Sequence, residues 1–313
     1  MYFPVANIEV NPIIPPLVAF CISFFTSMGG VSGAFLLLPF QVSVLGFTSP
    51  AVSSTNQLYN IVAIPSGVYR YIREDRMVWP LTWVVIIGTL PGVLVGAILR
   101  IKYLPDPRNF KVFAAMVLLY IGIRLISDLV ARKKGGPGQE TADQRFQRLV
   151  REYQAEHGSN RLPGVTVKEC NLARVRYEFL GEECQASSMG ILTLSLVVGV
   201  IGGVYGIGGG AIIAPFFVSI FGLPVHTVAG AALMGTFVTS VAGVAFYQLI
   251  APWFPNMAVA PDWLLGVLFG VGGFAGMYCG ARLQRFVPAR AIKWMLAGFV
   301  LFTALKYLFE FFV

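Results

Sequence analysis

The chain has 313 residues, of which 56% are hydrophobic and only 12% charged, with a formal net charge of +8. A soluble domain of this length would carry roughly twice that charged fraction. Uncharged runs over 10–69, 77–99, 184–261 and 263–281 therefore belong in a lipid bilayer and make this an all-α polytopic membrane protein.

Apolar segments fall at roughly 13–46, 51–69, 77–99 and 110–131, and again at 187–222, 226–250, 263–283 and 291–312. Residues 1–16 lack a basic flank, so no cleaved signal peptide is expected. The ten-residue alternation of a membrane barrel is absent. The basic residues cluster in short loops beside apolar segments, which reads as an orientation signal, and no nucleic acid is expected as a partner.

The polar stretch between the two sets divides the chain into a first membrane repeat (1–131), an extramembrane insert (132–186) and a second membrane repeat (187–313). Gly30, Gly33, Pro39 and Gly46 match Gly206, Gly209, Pro215 and Gly222 at one offset. Gly88, Gly92 and Gly96 match Gly272, Gly276 and Gly280, a four-residue spacing that suits close helix packing. Lys111, Arg124 and Asp128 match Lys293, Lys306 and Glu310, charges that are hard to repeat by chance in apolar helices.

The first segment of each half is too long for one ordinary span and too short for two, with glycines near its middle. Either it is one long broken span, giving parallel repeats, or a re-entrant pair of half-helices, giving inverted repeats. The loop cations favour the second: ten fall inside and four outside, against eight and six for the first. That arrangement predicts a cytoplasmic insert. Within the insert, 142–157 has helical spacing, and 165–167 and 175–180 read as short strands around a Gly181-Glu182 turn.

The chemistry concentrates at the glycine breaks. Tyr205–Gly210 holds four glycines in six residues, which a stable plain helix does not tolerate. Broken backbone at membrane depth survives only when packed in protein or lining a cavity. A half-helix starting after Gly33 or Gly209 would present unbonded amides and a positive dipole end to an anion. Such an anion site is built of neutral parts. The candidate substrate-binding residues are Gly29, Gly30, Ser32, Gly33, Thr55, Asn56, Asn60, Gly206, Gly208, Gly209, Gly210 and Thr236. Asn56 and Asn60 share a helix face and point at substrate or at another helix. Lys306 with Glu310, and Arg124 with Asp128, read as ion pairs near the membrane edge. Cys21 reads as a buried, inert thiol. Catalytic residues, metal-ligand spacing, cofactor fingerprints and an ATP-binding loop are all missing from the pattern.

The run Gly206-Ile-Gly-Gly-Gly-Ala-Ile-Ile-Ala-Pro215, with Gly222-Leu-Pro-Val-His226, Ala229-Gly-Ala and the copies at Gly29–Pro39 and Ser53–Asn56, resembles the TauE/SafE sulfite exporter-like family. The first copy departs from it by placing Ser32 where the second has Gly208. The resemblance implies a secondary transporter for sulfite, an organosulfonate or a related sulfur-containing anion in the cell inner membrane. A homodimer is compatible with it. An uncoupled anion channel is the alternative, and a membrane-embedded enzyme a more distant one.

Overall fold

The computed structural model describes residues 1–29, 32–73, 77–134, 148–149, 152–153, 165–171, 174–179, 181–223, 225–283 and 289–312. The first half contains α1 (Ile14–Gly29), α2 (Ala34–Ser43), α3 (Ala51–Ala63), α4 (Pro65–Arg73), α5 (Trp79–Lys102) and α6 (Pro107–Lys134). The second contains α7 (Ser188–Tyr205), α8 (Ile213–Phe221), α9 (Val225–Ile250), α10 (Trp263–Leu283) and α11 (Ala289–Phe312). Six of these are long and apolar enough to cross a membrane: α5, α6, α7, α9, α10 and α11. Pro65, which has no amide hydrogen, divides the expected span 51–69 into α3 and α4.

Helix pairing is reciprocal between the halves. α1 packs on α10 and α7 on α5, α3 packs on α10 and α9 on α5, and α6 packs on α11. The glycine triplets explain the first two contacts. Gly88, Gly92 and Gly96 of α5 lie against the main chain of Leu192, Leu196 and Val200 in α7, so a Cβ at any of them would overlap backbone. Gly272, Gly276 and Gly280 of α10 meet Pro16, Phe20 and Phe24 of α1 in the same way. Numbers rise together in both pairs, so these helices run parallel. By contrast, α3 and α4 run antiparallel to α9: Gln57 lies by Gly243, Gly67 by Leu233 and Gly230 by Tyr71. α6 and α11 are antiparallel too, with Lys111 on Glu310 at 2.6 Å and Gly122 against Leu301. Lys306 and Glu310 form the expected pair at 3.6 Å. The side chain of Asp128 lies outside the described residues.

The first segment of each half doubles back. Gly202 of α7 lies against Gly208, six residues on, and Phe221 at the end of α8 packs on Gly190 near the start of α7. Gly33 likewise sits beside Ser23 and Thr26 of α1. The arms are unequal: α7 has 18 residues and α8 has 9.

Five short strands among the described residues lie outside the helical membrane part, two of them where strands were expected in the insert. β1 (Tyr2–Phe3) and β2 (Ile8–Glu9) form an N-terminal hairpin tied to Asp262 through the Ala6 amide. In the insert, β3 (Thr166–Cys170), β4 (Arg174–Phe179) and β5 (Glu182–Ser187) form an antiparallel sheet, turning at Gly181 with φ +76. β5 was not expected. It runs straight into α7, whose first turn Ser187 caps by accepting from the Gly190 amide. Lys168 bridges Glu178 and Glu183 across the sheet, which holds its ammonium above the usual lysine range and Glu183 below the usual carboxylate range. The buried Tyr177 hydroxyl meets Thr227 Oγ1 at 2.7 Å, docking the sheet on the start of α9. Of the helix expected over 142–157, only 148–149 and 152–153 are described, and they are helical.

Candidate site at the second glycine break

The chain leaves α7 at Gly206, whose φ of +82 is left-handed and whose amide bonds Gly202 O at 2.8 Å. Gly208 is also left-handed, at φ +76. A side chain at either position would be strained. Residues 206–210 are all buried. Three helices close on them. Gly206 lies on Ser53 of α3, Gly209 on Thr89 of α5, and Gly208 and Gly210 on Thr236 of α9.

Polar side chains hold the loop by its carbonyls. Asn56 Nδ2 donates to Gly206 O at 3.1 Å and Asn60 Nδ2 to Ile207 O at 3.0 Å. Ser53 Oγ donates to Val204 O at 2.9 Å. Thr239 Oγ1 accepts from the Gly209 amide at 3.1 Å. The amides of Gly208 and Gly210 have no hydrogen-bond partner among the described residues. They precede α8, a nine-residue helix whose dipole places partial positive charge at the loop.

The first break has a different character. Gly33 caps α2 with φ −65, an ordinary value, and is required by close approach: a Cβ would crowd the Tyr59 hydroxyl at 2.5 Å. Ser32 Oγ accepts from the Ala34 amide at 3.3 Å. Pro39 within α2 lacks an amide hydrogen and so orphans the carbonyl of Phe35. Tyr205, the last residue of α7, donates its hydroxyl there at 2.8 Å. Asn56 Nδ2 also donates to Ala34 O at 3.0 Å, so one amide group ties both breaks together.

Several expectations are thereby refined. Gly206, Gly208, Gly209, Gly210, Asn56, Asn60 and Thr236 converge on one loop. Asn56 and Asn60, however, spend their donors on backbone carbonyls and act as supports. Thr236 Oγ1 donates to Ala232 O of its own helix at 2.8 Å while its side chain walls Gly208 and Gly210. Thr55 is a correction: one position along α3 turns it by about 100° from Asn56, and its hydroxyl accepts from the Asp262 amide at 2.9 Å, away from the loop. Gly29 ends α1 and Ser32 caps Ala34, both at the first break. Gly30 lies outside the described residues, as does the side chain of His226. Cys21 is exposed on the outside of α1, not buried. Gln41, Tyr59, Thr89 and Tyr205 were missed as parts of this centre. Each is a polar group inside an uncharged run, which is the signal that could have found them.

A helical chain with six membrane-length helices around a buried, broken and polar centre has the architecture of a multi-pass membrane transporter. The family model described as Sulfite exporter TauE/SafE matches residues 16–307, and the chain belongs to that family. It is 30% identical over 125 residues to the probable membrane transporter protein YdhB of Bacillus subtilis (strain 168), covering 39% of this chain and 47% of that protein. It is 21% identical over 273 residues to the probable membrane transporter protein YunE of the same organism, covering 85% of this chain and 86% of that protein. The chain thus spans about half the length of YdhB and most of YunE. No solved structure matches.

Proposed function

We propose that this protein is a secondary transporter exporting sulfite, or a small organosulfonate, across the plasma membrane, with the second glycine break as its anion site. The observation that carries this reading is the pair of buried Gly208 and Gly210 amides, unpartnered among the described residues, at the positive end of α8. A fixed Arg or Lys would hold a small anion too tightly for release, whereas amides at a helix start bind it reversibly. The family description supplies the sulfur-anion class.

The antiparallel register of α3 and α4 on α9, and of α6 on α11, supports inverted repeats, since symmetry mates would run parallel about an axis along the membrane normal. The doubled-back first segments support re-entrant entry. With the loop cations, this supports a cytoplasmic insert. Alternating access then consists of α3, α5 and α9 parting from the loop on one face at a time.

Sulfite flux into proteoliposomes tests the reading. A carrier accelerates labelled uptake when unlabelled sulfite is preloaded inside. Flux without that acceleration would mean a channel, and no flux of any sulfur oxyanion would refute the substrate class.

A further inference from the structure

The amide groups around the loop can be oriented one by one. A carbonyl oxygen only accepts, so Ala34 O and Gly206 O fix Asn56 with Nδ2 toward them. Asn56 Oδ1 then faces Gln41, which presents Nε2 at 3.2 Å. This leaves Gln41 Oε1 without a partner among the described residues. By the same logic Ile207 O fixes Asn60, and its Oδ1 is left unpartnered. Gln57, packed on Gly243 of α9 one turn from Ser240, has neither Oε1 nor Nε2 bonded. All three side chains are fully buried. Buried amide oxygens without donors are rare in folded proteins, and such groups mark where something else binds.

The centre therefore makes two opposite demands. Gly208 and Gly210 offer donors and need acceptors. Gln41 and Asn60 offer acceptors and need a donor, and Gln57 offers one of each. Sulfate or an alkyl sulfonate brings acceptors only, and its charge is repelled by the amide oxygens. A singly protonated oxyanion brings both.

We propose that the site takes the singly protonated form of its oxyanion, with the acidic O–H donating to the amide oxygens of Asn60 or Gln57 and the remaining oxygens accepting from Gly208 and Gly210. This rests on the anion site proposed above and names the ionic form that fills it. The proton then crosses with the anion, so coupling needs no titrating side chain. Among the described residues, the buried ionisable groups on and beside the surrounding helices are Tyr59 of α3, Tyr205 of α7, Tyr247 of α9, Tyr307 of α11, Arg100 of α5 and Asp262 before α10. None is a residue type whose free side chain titrates between about pH 5 and 9.

Calorimetric titration of the purified protein with sulfite and with methanesulfonate, at about pH 6 and about pH 8, tests this. Sulfite loses its second proton in this range and methanesulfonate has none to lose. Apparent sulfite affinity is expected to fall by about tenfold per pH unit once above that ionisation. Methanesulfonate is expected to bind at least roughly tenfold more weakly than sulfite, with no pH dependence. Gln57→Met, which preserves volume, is expected to weaken sulfite binding by roughly fivefold or more while the melting temperature holds or rises, because no partner is lost. Equal, pH-independent binding of both anions, abolished by Gly210→Ala, would overturn the proposal and leave the anion site standing, with water on the amide oxygens. Failure of both anions to bind, or sulfite binding unchanged in folded Gly210→Ala, would overturn both.

Discussion

The two glycine breaks match at one sequence offset, yet they have opposite hydrogen-bond economies. At the first, backbone groups left over by the break and by Pro39 are taken: Ser32 holds the Ala34 amide and Tyr205 the Phe35 carbonyl, while Asn56 adds a bond to the Ala34 carbonyl. At the second, the carbonyls are taken by Asn56 and Asn60 while the Gly208 and Gly210 amides have no partner among the described residues. On the proposed reading, the first break is an anchor and the second the site. Two positions separate them: Ser32 stands against Gly208, one with a hydroxyl that satisfies a neighbouring amide and the other with no side chain to do so, and Ala34 stands against Gly210.

Four substitutions would break or sharpen this contrast. Asn56→Leu has the largest expected effect, because it orphans Gly206 O and Gln41 Nε2 together and removes the added bond to Ala34 O. At roughly 1–3 kcal/mol per unsatisfied buried group, the loss is about 2 kcal/mol or more, seen as a large drop in melting temperature in detergent. A mild loss would mean the two breaks are not joined through this residue. Gly208→Ala forces an L-residue to φ +76, costing about 1–2 kcal/mol, and is expected to abolish sulfite binding in the fraction that folds. Retained binding would remove Gly208 from the site. Tyr205→Phe leaves the carbonyl freed by Pro39 without a donor and should lower stability by about 1–2 kcal/mol. Its effect on sulfite affinity should be smaller than that of Gly208→Ala, as read from the same titrations. Ser32→Gly makes the first break resemble the second. It should cost only a few tenths of a kcal/mol and leave sulfite binding unchanged. If it weakens binding more than Tyr205→Phe does, the first break belongs to the site and the contrast fails.

Much of this was legible in the sequence for a physical reason. Glycine triplets announce close helix contact because nothing else allows backbones to touch, and those at Gly88 and Gly272 do that. Four glycines in six residues announce a break, and the left-handed angles at Gly206 and Gly208 bear this out. That Pro39 frees the Phe35 carbonyl could also be read from the chain. That Tyr205, 170 residues away, would satisfy it could not, because a single sequence carries no record of which long-range groups meet. Thr55 and Asn56 look alike in an apolar helix, and only the packing of α10 on one face and the glycine loop on the other separates them. Whether Asn56 would bind substrate or backbone was equally undecidable, since both need the same donor. The short strand β5 was hidden because the alternation in Glu182–Ser187 is carried only by the small Cys184 and Ala186 among polar residues.

The central claim is that the anion rests on the amides of the second break and not the first. The most direct measurement is a crystal structure with selenite, a heavier analogue of sulfite, located by its anomalous signal. The account predicts selenium with oxygens about 3 Å from the Gly208 and Gly210 nitrogens and none beside Ser32 and Ala34. Selenite at the first break, or bound elsewhere with the second break empty, would contradict it.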